Sequence, residues 1–80
     1  MSQYAKLDAL ILERIGRPNG ATLTELTANR DVAAEAARIG EATGRVDWRV
    51  VDGRLQALRK QGMIRFWRPV WKLTERVRAA

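Results

Sequence analysis

The chain has no cysteine and no histidine. The first absence removes disulfides and thiol nucleophiles. Together the two remove zinc and heme sites of the usual kind, and the commonest acid–base catalyst is gone as well. Cysteine usage of this kind is compatible with a reducing cytosol, and a cytoplasmic location is the expectation. No apolar run approaches the length needed to cross a bilayer, so no membrane association is expected. Asp8 and Glu13 interrupt the apolar positions of KLDALILERIG, so the N-terminal segment does not read as a signal peptide. Internal repeats and low-complexity segments are also missing. The carboxylates are scattered, and no nucleophile–base pair or metal cluster can be assembled from what remains. Enzymatic activity is therefore not expected, and neither is a cofactor or a metal.

What is present is an ordinary globular composition over 80 residues, 46% hydrophobic and 30% charged. That length makes one small domain, residues 1–80, with flexible ends expected at 1–2 and 75–80. A chain this short buries about 60–65% of its unfolded surface, so it is marginally stable alone or leans on a partner.

The net charge of +6 is unevenly divided. Residues 45–80 hold ten basic and three acidic side chains, whereas residues 1–44 hold five basic and six acidic ones. A net +7 at one end of the chain points to a polyanionic partner, although a solvated basic surface has the same composition.

Local patterns divide the chain into short elements. Tyr4, Leu7, Ile11 and Ile15 fall on one helical stripe, with Leu10 at its edge, which predicts a first helix from about residue 3 to 15. Gly16 and the turn Arg17-Pro18-Asn19-Gly20 end it. Thr22 and Glu25 have capping-box spacing and predict a short helix near 23–28, with Leu23 and Leu26 inward. Asp31 or Asn29 can cap a further helix striped by Val32, Ala36 and Ile39, ended by Gly40 or Gly44. Its alanines point to close helix–helix approach. Whether residues 23–41 form one bent helix or two is open at this level.

Asp47 is the expected cap of a helix over 48–61, with Gly62 as the residue beyond its end. Trp48, Val51, Leu55 and Leu58 share a stripe and are expected in the core, as is Trp71. Past Gly62 the period changes to two. Ile64 and Phe66 alternate with Arg65 and Trp67, and Trp71 and Leu73 with Val70 and Lys72, which reads as two short strands around a turn at Arg68-Pro69, since proline cannot donate to a ladder. Trp67 falls on the alternate face of its strand. It is expected to pack or to meet a protein partner, because duplex DNA exposes few base faces.

The 48–61 helix carries the functional signal. At 100° per residue, Arg49, Gly53, Gln56 and Lys60 lie opposite the apolar stripe, with Asp52 flanking. Arginine bonds bidentately to guanine, glutamine to adenine, and lysine to guanine or phosphate. Gly53 interrupts this face at a propensity cost of roughly 1 kcal/mol relative to alanine. The missing side chain suits close approach to a base or backbone. A solvated helix face would also be polar, so this face alone does not decide the matter.

The order of elements, with "LQALRKQGMI" followed by a hairpin ending "VWKLT", resembles the winged helix-turn-helix domains of bacterial and phage transcription regulators. Leu55, Leu58, Gly62, Met63 and Ile64 match the family's L-x-x-L-x-x-x-G-[LM]-I segment, most clearly over residues 47–74. The resemblance implies a fold that is mainly α with a small β-hairpin, three to four helices followed by a two-stranded antiparallel wing. It implies double-stranded DNA as partner, with the 48–61 helix in the major groove and the 63–74 hairpin as wing.

Arg68, at the wing tip, inherits a backbone or minor-groove role by position, and so do Arg65 and Lys72. With Arg45, Arg49, Gly53, Gln56 and Lys60 these make the candidate DNA-binding set. Arg54 and Arg59 are expected to meet phosphate, unless one buries its stem against the core stripe. One departure from the family is expected: either residues 29–46 are an insertion, or the turn before Asp47 is long, so the helix-turn-helix is stretched. A homodimer on a palindromic site fits a single small domain. The alternatives are a protein-interaction module using Trp67 or the first helix, and RNA binding through the same basic face.

Overall fold

The computed structural model describes residues 3–75. The expectation of flexible ends therefore falls, apart from Glu75, outside the described residues. Four helices precede one hairpin: α1 (Ala5–Ile15), α2 (Leu23–Ala28), α3 (Arg30–Thr43), α4 (Asp47–Lys60), β1 (Ile64–Trp67) and β2 (Val70–Leu73). This is a mainly α fold closed by a two-stranded antiparallel wing.

Each element follows from its local sequence. Leu7, Ile11 and Ile15 bury the inner face of α1, and Tyr4 and Leu10 pack at its margin. The α2 capping box is complete: Thr22 Oγ1 accepts from the Glu25 N–H at 3.1 Å, and the Thr22 N–H donates to Glu25 Oε1 at 2.9 Å. Arg14 adds a hydrogen bond to the Gly20 carbonyl and a contact to Glu25, pinning this corner to α1.

Residues 23–41 are two helices. Asn29 is extended (φ −69°, ψ 125°), and its Oδ1 accepts from the N–H groups of Asp31 and Val32. Asn29 is thus the cap of α3, and Asp31 lies inside the first turn. Val32, Ala36 and Ile39 are buried where α3 packs among α1, α2 and α4. On the same helix Glu35 is buried and forked by the Arg38 guanidinium, whose hydrogen bonds hold its carboxyl below the usual carboxylate range.

The turn between α3 and α4 corrects an expectation. Helix α3 continues to Thr43 and Gly44 ends it, so only residues 44–46 separate the two helices. Three residues is ordinary helix-turn-helix length, and there is no stretch. The segment that resembled an insertion is helix, because nothing between Asn29 and Gly44 stops it. Gly40 permits the reversal: the Arg45 N–H bonds its carbonyl at 3.0 Å, and a Cβ there would strike the Arg45 carbonyl.

The cap of α4 is likewise corrected. Val46 holds the N-cap position, and Asp47 is the first helical residue, its carboxylate accepting from the neighbouring Trp48 N–H. An acidic residue there still complements the helix dipole.

The C-terminus is as expected. Gly62 lies at φ 78°, the Met63 N–H bonds the Leu58 carbonyl and the Gly62 N–H bonds that of Arg59. This is a Schellman motif, which a β-carbon at Gly62 would strain. The chain then enters β1, which pairs with β2 so that Ile64 faces Leu73 and Phe66 faces Trp71. Thr74 closes the base, donating from Oγ1 to the Gly62 carbonyl at 2.6 Å. One further bridge joins Ala21 to Trp71 through both backbone hydrogen bonds, so β2 also grips the segment before α2.

Val51, Leu55 and Leu58 form the centre of the core, with Ile64 and Trp71 covering it from the hairpin. Trp48, expected inside, is 49% exposed, and Val50 is buried in its place. The two lie at opposite edges of the α4 stripe. The Val50 edge lies beside Tyr4, the N-cap residue of α1, whereas the Trp48 edge borders an open concavity.

Candidate nucleic-acid interface

The basic residues divide into two groups by whether a carboxylate already neutralises them. Arg14, Arg17, Arg38 and Arg54 form ion pairs with Glu25, Glu13, Glu35 and Asp8. Arg54 gives the most ordered of these. Its Nε and Nη2 each donate to Asp8 at 2.8 Å, and its guanidinium lies 4.5 Å from the Tyr4 ring centroid. Donating these hydrogen bonds to Asp8 raises its pKa further. Of the two readings open for Arg54 the structure fits the second: from the edge of the core stripe it clamps α4 to α1.

Arg45, Arg49, Arg59, Lys60, Arg65, Arg68 and Lys72 form no ion pair among the described residues. They lie in the turn before α4, on α4 and on the hairpin, so the charge imbalance of the sequence survives as uncompensated positive surface on these elements. Lys6 and Arg30 are also without an ion pair but belong to α1 and α3.

Along α4 the outward side chains follow the helical wheel. Arg49 and Lys60 are exposed, and Gln56 is half-buried. Arg49 stacks its guanidinium 5.4 Å from the Trp48 ring centroid. Gln56 accepts from Arg59 Nε at 3.3 Å, which leaves its amide N–H groups to donate outward. Gly53 is exposed, and a Cβ built there would meet nothing within 4 Å. Neither packing nor backbone conformation calls for glycine at this position. Gly53→Ala is expected to stabilise the free protein by up to about 1 kcal/mol, measured as a higher denaturation midpoint. Duplex affinity of the same variant should fall or stay level in a parallel titration, and a clear gain would argue against close approach at this point.

Two concavities bear on the outward face of α4. One, of about 460 Å³, is lined by Arg45, Trp48, Arg49, Asp52 and Gly53. The other, of about 490 Å³, runs between Thr22, Leu23 and Thr24 at the start of α2, Asp52, Gln56 and Arg59 on α4, and Phe66, Pro69 and Trp71 on the hairpin. Together they bring Arg45, in the turn before α4, beside Arg49, Gly53 and Gln56 on one face of that helix, with Lys60 a turn beyond Gln56.

The remaining residues are not gathered there. Arg65 and Lys72 pair across the strands on the other face of the hairpin, beside Trp67, and Arg68 stands exposed at the tip. Arg65 stacks 5.1 Å from the Trp67 ring centroid.

Sequence reasoning missed the exposure of Trp48 and the central place of Asp52. It also missed Phe66, which is 46% exposed while its ring packs 4.8 Å from that of Trp71. The position of Trp48 in the first turn, at a stripe edge, was the available signal. No side-chain cluster that could hold a metal ion exists among the described residues, and none of their helices is long and apolar enough to cross a membrane. Comparison with known protein families, curated proteins and solved structures gives no match for this chain.

Proposed function

We propose that this protein binds duplex DNA as a small winged helix-turn-helix regulator, with α4 in the major groove and the β1–β2 hairpin along the backbone. The observation that carries this reading is the outward face of α4: Arg49, Gln56 and Lys60 surround an open glycine, and neither cation there is neutralised by a carboxylate. Side chains able to hydrogen-bond base edges project from one face, and the backbone at Gly53 is free to come near. The three-residue turn from α3 and the hairpin that follows α4 supply the rest of the geometry. A homodimer on a palindromic site, acting in the cytoplasm, belongs to the same proposal.

Titration of a generic duplex of about two to three helical turns at low salt tests it. A shift is the expected result, and none at micromolar protein removes the proposal. The roles separate by mutation. Arg49→Ala and Gln56→Ala should relax sequence preference by about tenfold at one base position each. Arg68→Ala should weaken selected and random duplexes equally. Equal loss on both kinds of DNA for all three variants would exclude direct reading by α4.

One observation favours a second reading, a module for protein contact: Trp67 is 62% exposed on the outer face of the hairpin. On the first helix Leu7, Ile11 and Ile15 point into the core, and Leu10 and Leu12 are its partly exposed apolar side chains.

A further inference from the structure

A carboxylate stands within a surface otherwise suited to phosphate. Asp52 lies between Arg49, one turn before it, and Gln56, one turn after, and it borders both concavities along α4. It is half-buried and has no hydrogen bond or ion pair with any described residue. It caps no helix and neutralises no cation. Arg49 is three residues away, a spacing at which opposite charges on a helix commonly pair. Here the Arg49 guanidinium instead lies over the Trp48 ring. Donor and acceptor are thus held apart, side by side, over the open backbone of Gly53 in the concavity of about 460 Å³.

We infer that Arg49 and Asp52 together select G·C base pairs, and this rests on the duplex-binding proposal above. In the major groove guanine offers two acceptors, O6 and N7, and cytosine offers one donor, its N4 amino group. The guanidinium supplies two parallel donors, and the carboxylate supplies only acceptors. Donor, donor, acceptor on the protein matches acceptor, acceptor, donor on a G·C pair. An A·T pair presents acceptor, donor, acceptor, so Asp52 would face thymine O4 with both oxygens repelling. Asp52 also repels phosphate, so it lowers affinity for DNA at large. It acts as a specificity residue by disfavouring wrong sites as well as by reading the right one. Trp48 is a positioning residue, holding Arg49 off the carboxylate so that both remain free for the bases.

The test is selection of preferred duplexes from a random pool with the wild-type chain and with Asp52→Asn, followed by titration of single-pair variants of the selected site. Wild type should lose about tenfold when the critical G·C pair becomes A·T. Asp52→Asn should lose no more than about twofold at that pair, and should bind random duplex more tightly than wild type at the same salt. Unfolding curves of both proteins confirm that the fold is unchanged. A selected site without a G·C requirement overturns the inference, and so does an Asp52→Asn variant with the wild-type penalty. If wild type shifts no duplex at all at low salt, the DNA-binding proposal itself is wrong and this inference goes with it.

Discussion

Raising monovalent salt from about 50 to about 200 mM is expected to weaken duplex binding about 10²-fold. The expectation comes from the division of the cations. Seven basic side chains on the α3–α4 turn, α4 and the hairpin have no carboxylate partner among the described residues. With Arg49 assigned to bases and Arg65 and Lys72 turned away from the α4 face, about four remain for phosphates, and each phosphate contact contributes about −0.9 to the slope of log K against log salt. A slope of about −3.5 is the measurement that checks this. A slope close to zero would mean that the basic surface is solvated and takes no part in binding. The four paired arginines should contribute little, because leaving a carboxylate unpaired offsets what a phosphate contact gains. This is firmest for Arg54, whose two hydrogen bonds to Asp8 are largely shielded from solvent.

Gly40→Ala is expected to destabilise the fold by about 3 kcal/mol, against the sign that helix propensity predicts. In an open helix interior the same change would stabilise by about 1 kcal/mol. At residue 40 the added methyl group would collide with the Arg45 carbonyl, which is backbone and cannot rotate away as a side chain does. Relief requires moving the α3–α4 turn, and with it the hydrogen bond from the Arg45 N–H to Gly40. A domain of this size has a total stability of roughly 4–12 kcal/mol, so the loss is a large share of it. Urea denaturation should show a lower midpoint at unchanged m. An unchanged or higher midpoint would show that the turn adapts at little cost. Gly53→Ala, one helix later, should move the midpoint the other way, and the contrast separates a glycine needed for packing from one needed for access.

The elements legible in the sequence are those decided within a few residues. The stripe of Leu7, Ile11 and Ile15, the Thr22–Glu25 box, the Asn29 cap and the Gly62 motif all depend on near neighbours. The hairpin was equally plain, with Pro69 in its turn and Trp71 inside. What was hidden depends on how distant segments meet. Which of Arg54 and Arg59 turns to the core stripe is decided by Asp8, 46 residues from Arg54, which only the fold brings beside it. Trp48 sat at a stripe edge, and only the location of α1 decides which edge is covered. The length of the α3–α4 turn was overestimated because Gly40 reads as a helix stop; it is instead where the returning chain passes. Of the candidate site, the α4 face was visible as periodicity. That Arg65 and Lys72 turn away from it follows from the register of the hairpin, which fixes which residues share a face.

The backbone bridge between Ala21 and Trp71 has a bearing on how the protein is made. Helices α1 to α4 have their caps and stripes as soon as their own residues are synthesised. The Ala21 N–H and carbonyl, however, receive their partners only when Trp71 has left the ribosome, a few seconds later at usual elongation rates. Ile64 and Trp71 complete the core at the same late stage. A nascent chain short of β2 therefore has an open apolar centre, and helices as short as the six-residue α2 gain their tertiary support only when that strand arrives.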